Sequence, residues 1–233
     1  MNQPLFALAR KLNTLRTPAV TSGRAVSRTV NGSAVIRGIK NHRNDIVDRS
    51  FRRRGHVRGK AFVECLRDLG HRQVAFTIAF NTPWAISLLV SRWRAHDSGM
   101  ALAIADNSSD RTARALHKAI CDAANVPYLG LPWNPEWSPN RSHGIALNWV
   151  WFNVVPHVSL DLVGFIDHDC IPVSSIDLPA RAAGRATYGL HCPSRIRPWC
   201  WNYWAGYCFL KPAAAMGKAM DFKHRPELGL DTG

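Results

Sequence analysis

Apolar and polar positions are arranged in two ways along this chain. Up to about residue 72 they follow no clear period, except that residues 61–70 (AFVECLRDLG) read as one short helix ending at Gly70. From Gln73 the pattern becomes regular. Residues 74–80 (VAFTIAF) form a β-branched and aromatic run, which predicts a buried strand. Asn81-Thr82-Pro83 follows, with proline suited to the first turn of a helix. Apolar side chains at 85, 86, 88, 89, 90 and 93 then fit a helix over 84–96 packed on a sheet. Residues 100–105 predict a second strand, broken by the turn and cap residues Asp106-Asn107-Ser108-Ser109-Asp110. A helix over 110–124, a short strand over 127–131 and a loop rich in Trp, Pro and Asn over 132–140 come next. A largely buried helix over 142–155 and a fourth strand over 162–166 complete the pattern, and that strand ends in Asp167-His168-Asp169.

Strands alternating with helices predict an α/β fold with a mainly parallel central sheet in a three-layer sandwich. Ligands bind such sheets beyond the carboxyl ends of the strands. Asn81, Asp106 and Asp167 each fall just past a predicted strand, so the polar residues sit where a site belongs.

Charge divides the chain at the same place. Residues 1–72 hold 16 Lys/Arg against 4 Asp/Glu, a net of +12, while residues 73–233 hold 14 against 12, a net of +2. The basic character therefore belongs to the N-terminal third, which reads as a disordered, solvated extension with short helices, including the run Arg52-Arg53-Arg54. Its opening is Arg-rich and acid-poor; this fits a transit peptide or an amphipathic segment on an anionic membrane as well as a plain basic tail. It carries no recognised nucleic-acid motif and only three aromatic residues, Phe6, Phe51 and Phe62, which argues against nucleic acid as its partner. No stretch approaches the roughly 18 apolar residues of a membrane span. The six cysteines show no C-x-x-C pair and no zinc spacing; they read as reduced thiols of a cytoplasmic protein, peripheral to the membrane at most, with a Cys192–Cys200 disulfide as the lesser alternative.

The candidate chemistry starts with Asp167 and Asp169. Two carboxylates two residues apart on a loop leaving a strand can share Mn²⁺ or Mg²⁺, and Mg²⁺ is commonly held by one or two carboxylates plus substrate phosphates. Such a cation neutralises a departing diphosphate. His168 reads as a spacer. Asp110 reads as a helix cap, whereas Asp106 at the strand end could accept a hydrogen bond from a base or a ribose hydroxyl. Indole rings can cover the C–H face of a sugar, so Trp199, Trp201 and Trp204 are candidates for sugar or acceptor stacking, with packing under a loop as the alternative. Arg195 and Arg197 have the right chemistry for phosphate oxygens, or are ordinary solvated arginines.

These motifs together resemble family-two glycosyltransferases of the GT-A (Rossmann-like) fold. The similar segments are VAFTIAFN at 74–81, DNSSD at 106–110, RSHGIALNWVW at 141–151, LVGFIDHDCIP at 162–172 and GYCFLKPAAAMGKAMDF at 206–222, covering residues 73–233. The resemblance implies a nucleotide-diphosphate-sugar donor and an inverting transfer to a glycan, lipid or small-molecule acceptor. It implies that Phe80 and Asn81 line the nucleoside pocket, that Asp106 binds the base or ribose, and that Asp167 faces the ribose or diphosphate. It further implies that Asp169 holds the metal and that Asp231 of LGLDTG is the general base. Leu230 stands where the family often has Glu, and the chain stops two residues after Asp231, as if C-terminally truncated. The competing expectations are a non-catalytic nucleotide or sugar binder on the same fold, and a polyanion binder acting through residues 1–72.

Overall fold

The computed structural model describes residues 34–194, 196–215, 217, 218, 220–225 and 228–230. Residues 1–46 and 47–233 separate as two units. Of the first, the described part is the opening of helix α1 (Ala34–Arg52). The basic stretch over residues 1–33 lies outside the described residues.

Two features of the expected tail are corrected. Residues 34–52 are helical, and a second helix, α2, runs from His56 to Asp68 rather than from 61. Phe51, Phe62, Val63 and Leu66 are buried in the same core as the sheet, so the compact unit begins at Val47 and not at residue 73. Arg52 is not a free solvated charge: it pairs with Asp48 at 3.0 Å and lies 4.5 Å over the Phe152 ring. The reason is local. A short helix with apolar residues on one face is stabilised mainly by what that face covers, and here it covers a sheet.

The elements that follow are β1 (Gln73–Ala79), α3 (Pro83–Ala95), β2 (Ala101–Asp106), α4 (Arg111–Ala124), β3 (Tyr128–Gly130) and α5 (Pro139–Asn153). A single 3₁₀ turn leads to β4 (Leu162–Ile166), then α6 (Leu178–Ala182), β5 (Thr187–Pro193), β6 (Trp201–Leu210) and α7 (Pro212–Ala215). Each expected strand and helix from residue 73 to 166 is present within a few residues of its predicted ends. The caps explain the boundaries. Asp110 accepts the Thr112 N–H at 2.8 Å, and Asn125 closes α4 in the left-handed conformation.

One six-stranded sheet has the order β3-β2-β1-β4-β6-β5. β1 to β4 are parallel, while β6 runs antiparallel to β4 and to β5. The two faces of β1 separate cleanly. Val74, Phe76 and Ile78 join a core with α2 and α5; Ala75 and Ala79 join another with α3, α4 and α6. The sandwich therefore has three layers and mainly parallel strands, the α/β arrangement expected from the sequence. No helix among the described residues is long and apolar enough to cross a membrane.

Candidate functional site at the carboxyl edge of the sheet

The order of strands reverses between β1 and β4, where the chain has already built outward through β2 and β3 and then returns to β1's other side. Sheets of this kind open a crevice at such a switch point, outside the strands' carboxyl ends. Asp167 and Asp169 lie in a turn at this place. The Cys170 N–H donates to the Asp167 carbonyl at 3.0 Å, and the Asp167 N–H donates to Gly206 on β6 at 3.1 Å. His168 meets the Ile78 carbonyl of β1 at 3.3 Å, so the residue between the two carboxylates ties the turn to the sheet.

The Asp167 carboxylate lies 3.5 Å from His143 Nε2, with about a quarter of each side chain exposed. On its other flank is Gly206, where a Cβ would stand 2.5 Å from Asp167 Oδ2 and 2.4 Å from the Trp204 ring. The missing side chain at Gly206 is thus what lets the carboxylate and the indole share this corner. Asp169 is exposed. Sequence reasoning missed His143. A usable signal was its neighbour Gly144, where a Cβ would meet the Phe222 carbonyl at 2.4 Å. This close crossing fixes the start of α5 under the C-terminal segment and so aims His143.

That segment is held from the other side by Asn148, which is buried on α5. Its amide donates to Asp48 at 3.2 Å and Asp221 at 3.1 Å, and its oxygen accepts the Phe222 N–H at 2.9 Å. Burial pushes the Asp48 carboxyl up, against the pull of Arg52 and Asn148. Burial also opposes ionisation of Asp221, but hydrogen bonds from Asn148, Lys223 and Arg225 outweigh it and hold that carboxyl low.

Asp106 is at the expected strand end, and its carboxylate, expected to meet a base or ribose, is bonded within the protein. It is fully buried. Its Oδ1 accepts the Ser108 N–H at 2.8 Å, and its Oδ2 lies 3.0 Å from His117 Nδ1 and 2.7 Å from the Tyr128 hydroxyl. Burial alone would raise this carboxyl; the bonds from His117, Ser108 and Tyr128 more than offset it and hold it below its ordinary value. Arg114 completes the scaffold by donating to the carbonyls of Ser108 at 2.7 Å and Leu131 at 2.8 Å.

Asn81 adopts a positive φ of 51°. Its amide oxygen accepts the N–H groups of Ser109 and Asp110, each at 3.1 Å, and its own N–H donates to Ser108 Oγ at 2.8 Å. The side chain expected to line a nucleoside pocket therefore ties two edge loops together. Phe80 beside it is exposed, as are Trp84, Trp133 and Trp137 in neighbouring edge segments.

The register Ile166↔Tyr207 puts residues 201–206 of β6 beyond the last β4 pair, on this same edge. The hairpin carries Arg197, Trp199 and Trp201, all exposed. The three expected stacking tryptophans are not one platform. Trp201 shares a face with Tyr203, 5.3 Å away between ring centroids, while Trp204 points to the opposite face, toward Gly206 and Asp167. Arg195 and Asp231 lie outside the described residues. All six cysteines are free thiols; burial pushes Cys121 and Cys208 up to about 12, and the half-buried Cys170 to about 11.

Among the described residues, no three His, Cys, Asp or Glu side chains gather as a metal-binding group. The oxygen donors Asp167 and Asp169 suit a hard divalent cation whose remaining ligands come from water and phosphate.

No family model and no curated protein matches the chain. One solved structure it is similar to is the crystal structure of S. aureus TarS, at 18% identity and a TM-score of 0.29. The match covers 42% of this chain and 16% of that one. Nothing about this chain's chemistry follows from so distant a likeness.

Proposed function

We propose that this protein is a glycosyltransferase that binds a nucleotide-diphosphate-sugar in the crevice at the carboxyl ends of β1 and β4. The observation that carries the reading is the turn Asp167-His168-Asp169 at the switch point, with the Asp167 carboxylate cornered by His143, Gly206 and Trp204. In this reading Asp167 and Asp169 hold Mn²⁺ or Mg²⁺, which supplies charge neutralisation for the diphosphate as it leaves. His143 fixes the orientation of Asp167 and stands as a donor toward the same phosphate oxygens. Arg197 lends positive charge from the hairpin, with Arg195 beside it in sequence. Trp204 covers an apolar sugar face near the carboxylate, and Phe80 borders the nucleoside. Asp231 takes the proton from the acceptor hydroxyl as its oxygen attacks the anomeric carbon, an inverting displacement; such base assistance contributes about 10²–10⁴-fold. The acceptor is a glycan, a lipid or a small molecule. The basic segment over residues 1–72 adds attraction for an anionic membrane surface.

A thermal-shift screen of nucleotide-sugars with and without Mn²⁺ tests the reading. A metal-dependent rise in melting temperature is expected for one donor, and Asp169→Ala removes it. Absence of any response across the donor panel sinks the proposal. A response without sugar transfer or donor hydrolysis leaves a binding protein on the same fold.

A further inference from the structure

Two donors at the Asp167 corner come from parts of the chain that are fixed independently. His143 is held on α5 by Gly144, which leaves no room for a Cβ against the Phe222 carbonyl, and by Asn148, whose oxygen accepts the Phe222 N–H. Asp167 is held by its N–H to the Gly206 carbonyl at 3.1 Å and by the tie from His168 to Ile78. His143 Nε2 and Asp167 Oδ1 stand 3.5 Å apart as a result. N–H···O hydrogen bonds centre near about 2.9–3.0 Å. Two ligands of one cation, each at about 2.0–2.2 Å and about 90–109° apart, lie about 2.8–3.6 Å from one another. The separation fits two ligands of one ion.

Gly206 sets the rotation of the carboxylate. A Cβ there would stand 2.5 Å from Asp167 Oδ2, so the missing methyl keeps Oδ2 on the glycine side and Oδ1 on the His143 side. About a quarter of each side chain is exposed, which leaves the pair open to an ion and to a phosphate group. Two protein ligands suffice where water and phosphate supply the rest. The nitrogen donor decides the kind of ion. Mg²⁺ takes oxygen ligands and keeps several waters, whereas imidazole suits the first-row transition series.

We propose that His143 and Asp167 together ligate one first-row transition cation, and that the imidazole selects it over Mg²⁺. The inference rests on the transferase reading, to whose cation it assigns a nitrogen ligand. Coordination occupies the Nε2 lone pair, so His143 serves the diphosphate through the metal and not as a hydrogen-bond donor.

The test uses the full chain and Mn²⁺ alone, followed by electron paramagnetic resonance, with Mg²⁺ as competitor. Pulsed spectra of the bound Mn²⁺ are expected to show coupling to one imidazole nitrogen, and excess Mg²⁺ to displace it poorly. His143→Ala should lose that coupling and bind Mn²⁺ more weakly by about tenfold or more, since even groups behind a metal ligand are worth about 10–100-fold. His143→Glu puts oxygen in place of nitrogen. It should bind Mn²⁺ without the coupling and yield to Mg²⁺ more readily; it also covers the case in which the alanine variant misfolds, which circular dichroism reads. Bound Mn²⁺ without nitrogen coupling in the parent, or parent-like affinity in folded His143→Ala, overturns the inference and leaves the transferase reading with an all-oxygen site. A parent that binds no Mn²⁺ overturns it too, and the nucleotide-sugar screen then decides the transferase reading by itself.

Discussion

Asp106 and Asp167 end two parallel strands on either side of β1, and their surroundings are opposite. Asp106 is sealed inside, bonded to Ser108, His117 and Tyr128. Asp167 is partly exposed beside His143 and an open glycine corner. Position at a strand end thus does not decide whether a carboxylate is sealed into the scaffold or left partly exposed. What separates the two is burial: α4 and β3 close over Asp106, while Asp167 stays partly exposed. For Asp106, α4 supplies His117 and β3 supplies Tyr128. For Asp167, β6 supplies a glycine.

The contrast is broken most directly by removing each carboxylate in turn. Asp106→Ala strands a buried imidazole and a buried hydroxyl, and a loss of about 3–5 kcal/mol is expected from urea unfolding. Asp167→Ala should cost less than about 1 kcal/mol, since solvent reaches the site, yet it should abolish the nucleotide-sugar response. Equal stability losses from the two would end the distinction drawn here.

Gly206→Ala comes next in size. The added methyl meets both the Trp204 ring and the Asp167 carboxylate, and one must shift. Overpacking of this kind costs about 1–3 kcal/mol. The melting temperature should fall moderately, and ligand binding should fall with it. Tyr128→Phe acts on the other carboxylate. It removes one donor to a buried charge at a cost of about 1–2 kcal/mol, and ligand binding should be unchanged. A Tyr128→Phe variant that loses the donor response would show that Asp106 reaches the ligand after all.

Much of the layered part was legible because burial on both faces leaves continuous apolar runs. The β1 sequence QVAFTIA is buried along six of its seven residues and reads directly as a strand. Asp110 as a cap was legible for the same kind of local reason. The inward turn of Asp106 was not, because its partners lie 11 and 22 residues away and only tertiary packing joins them. His143 escaped notice for a related reason: Gly144 beside it marks a close crossing, but only tertiary packing brings the Asp167 carboxylate at the end of β4 to 3.5 Å. Helix α1 was hidden by its charges, since Arg and Lys spaced without a clean period conceal the one face that buries Phe51.

The smallest effect is a slope rather than a loss. The Asp106 carboxyl is held below its ordinary value in the folded protein, despite burial, by His117, Ser108 and Tyr128. A lowered folded value means that the ionised form stabilises the native state. That contribution is fully present above the unfolded value of about 3.9 and fades as pH falls through the lower folded value. Over that acid window the unfolded state binds the proton first, which adds up to about 1.4 kcal/mol per pH unit to the fall in stability. Asp106→Asn removes the titrating group, so its unfolding free energy should decline less steeply than the parent's below about pH 4. Tyr128→Phe removes one of the bonds that keep the carboxyl low and should give an intermediate slope. Urea midpoints measured down the acid limb read all three. Parallel limbs for parent and Asp106→Asn would mean that the buried aspartate carries no ionic share of the scaffold's stability.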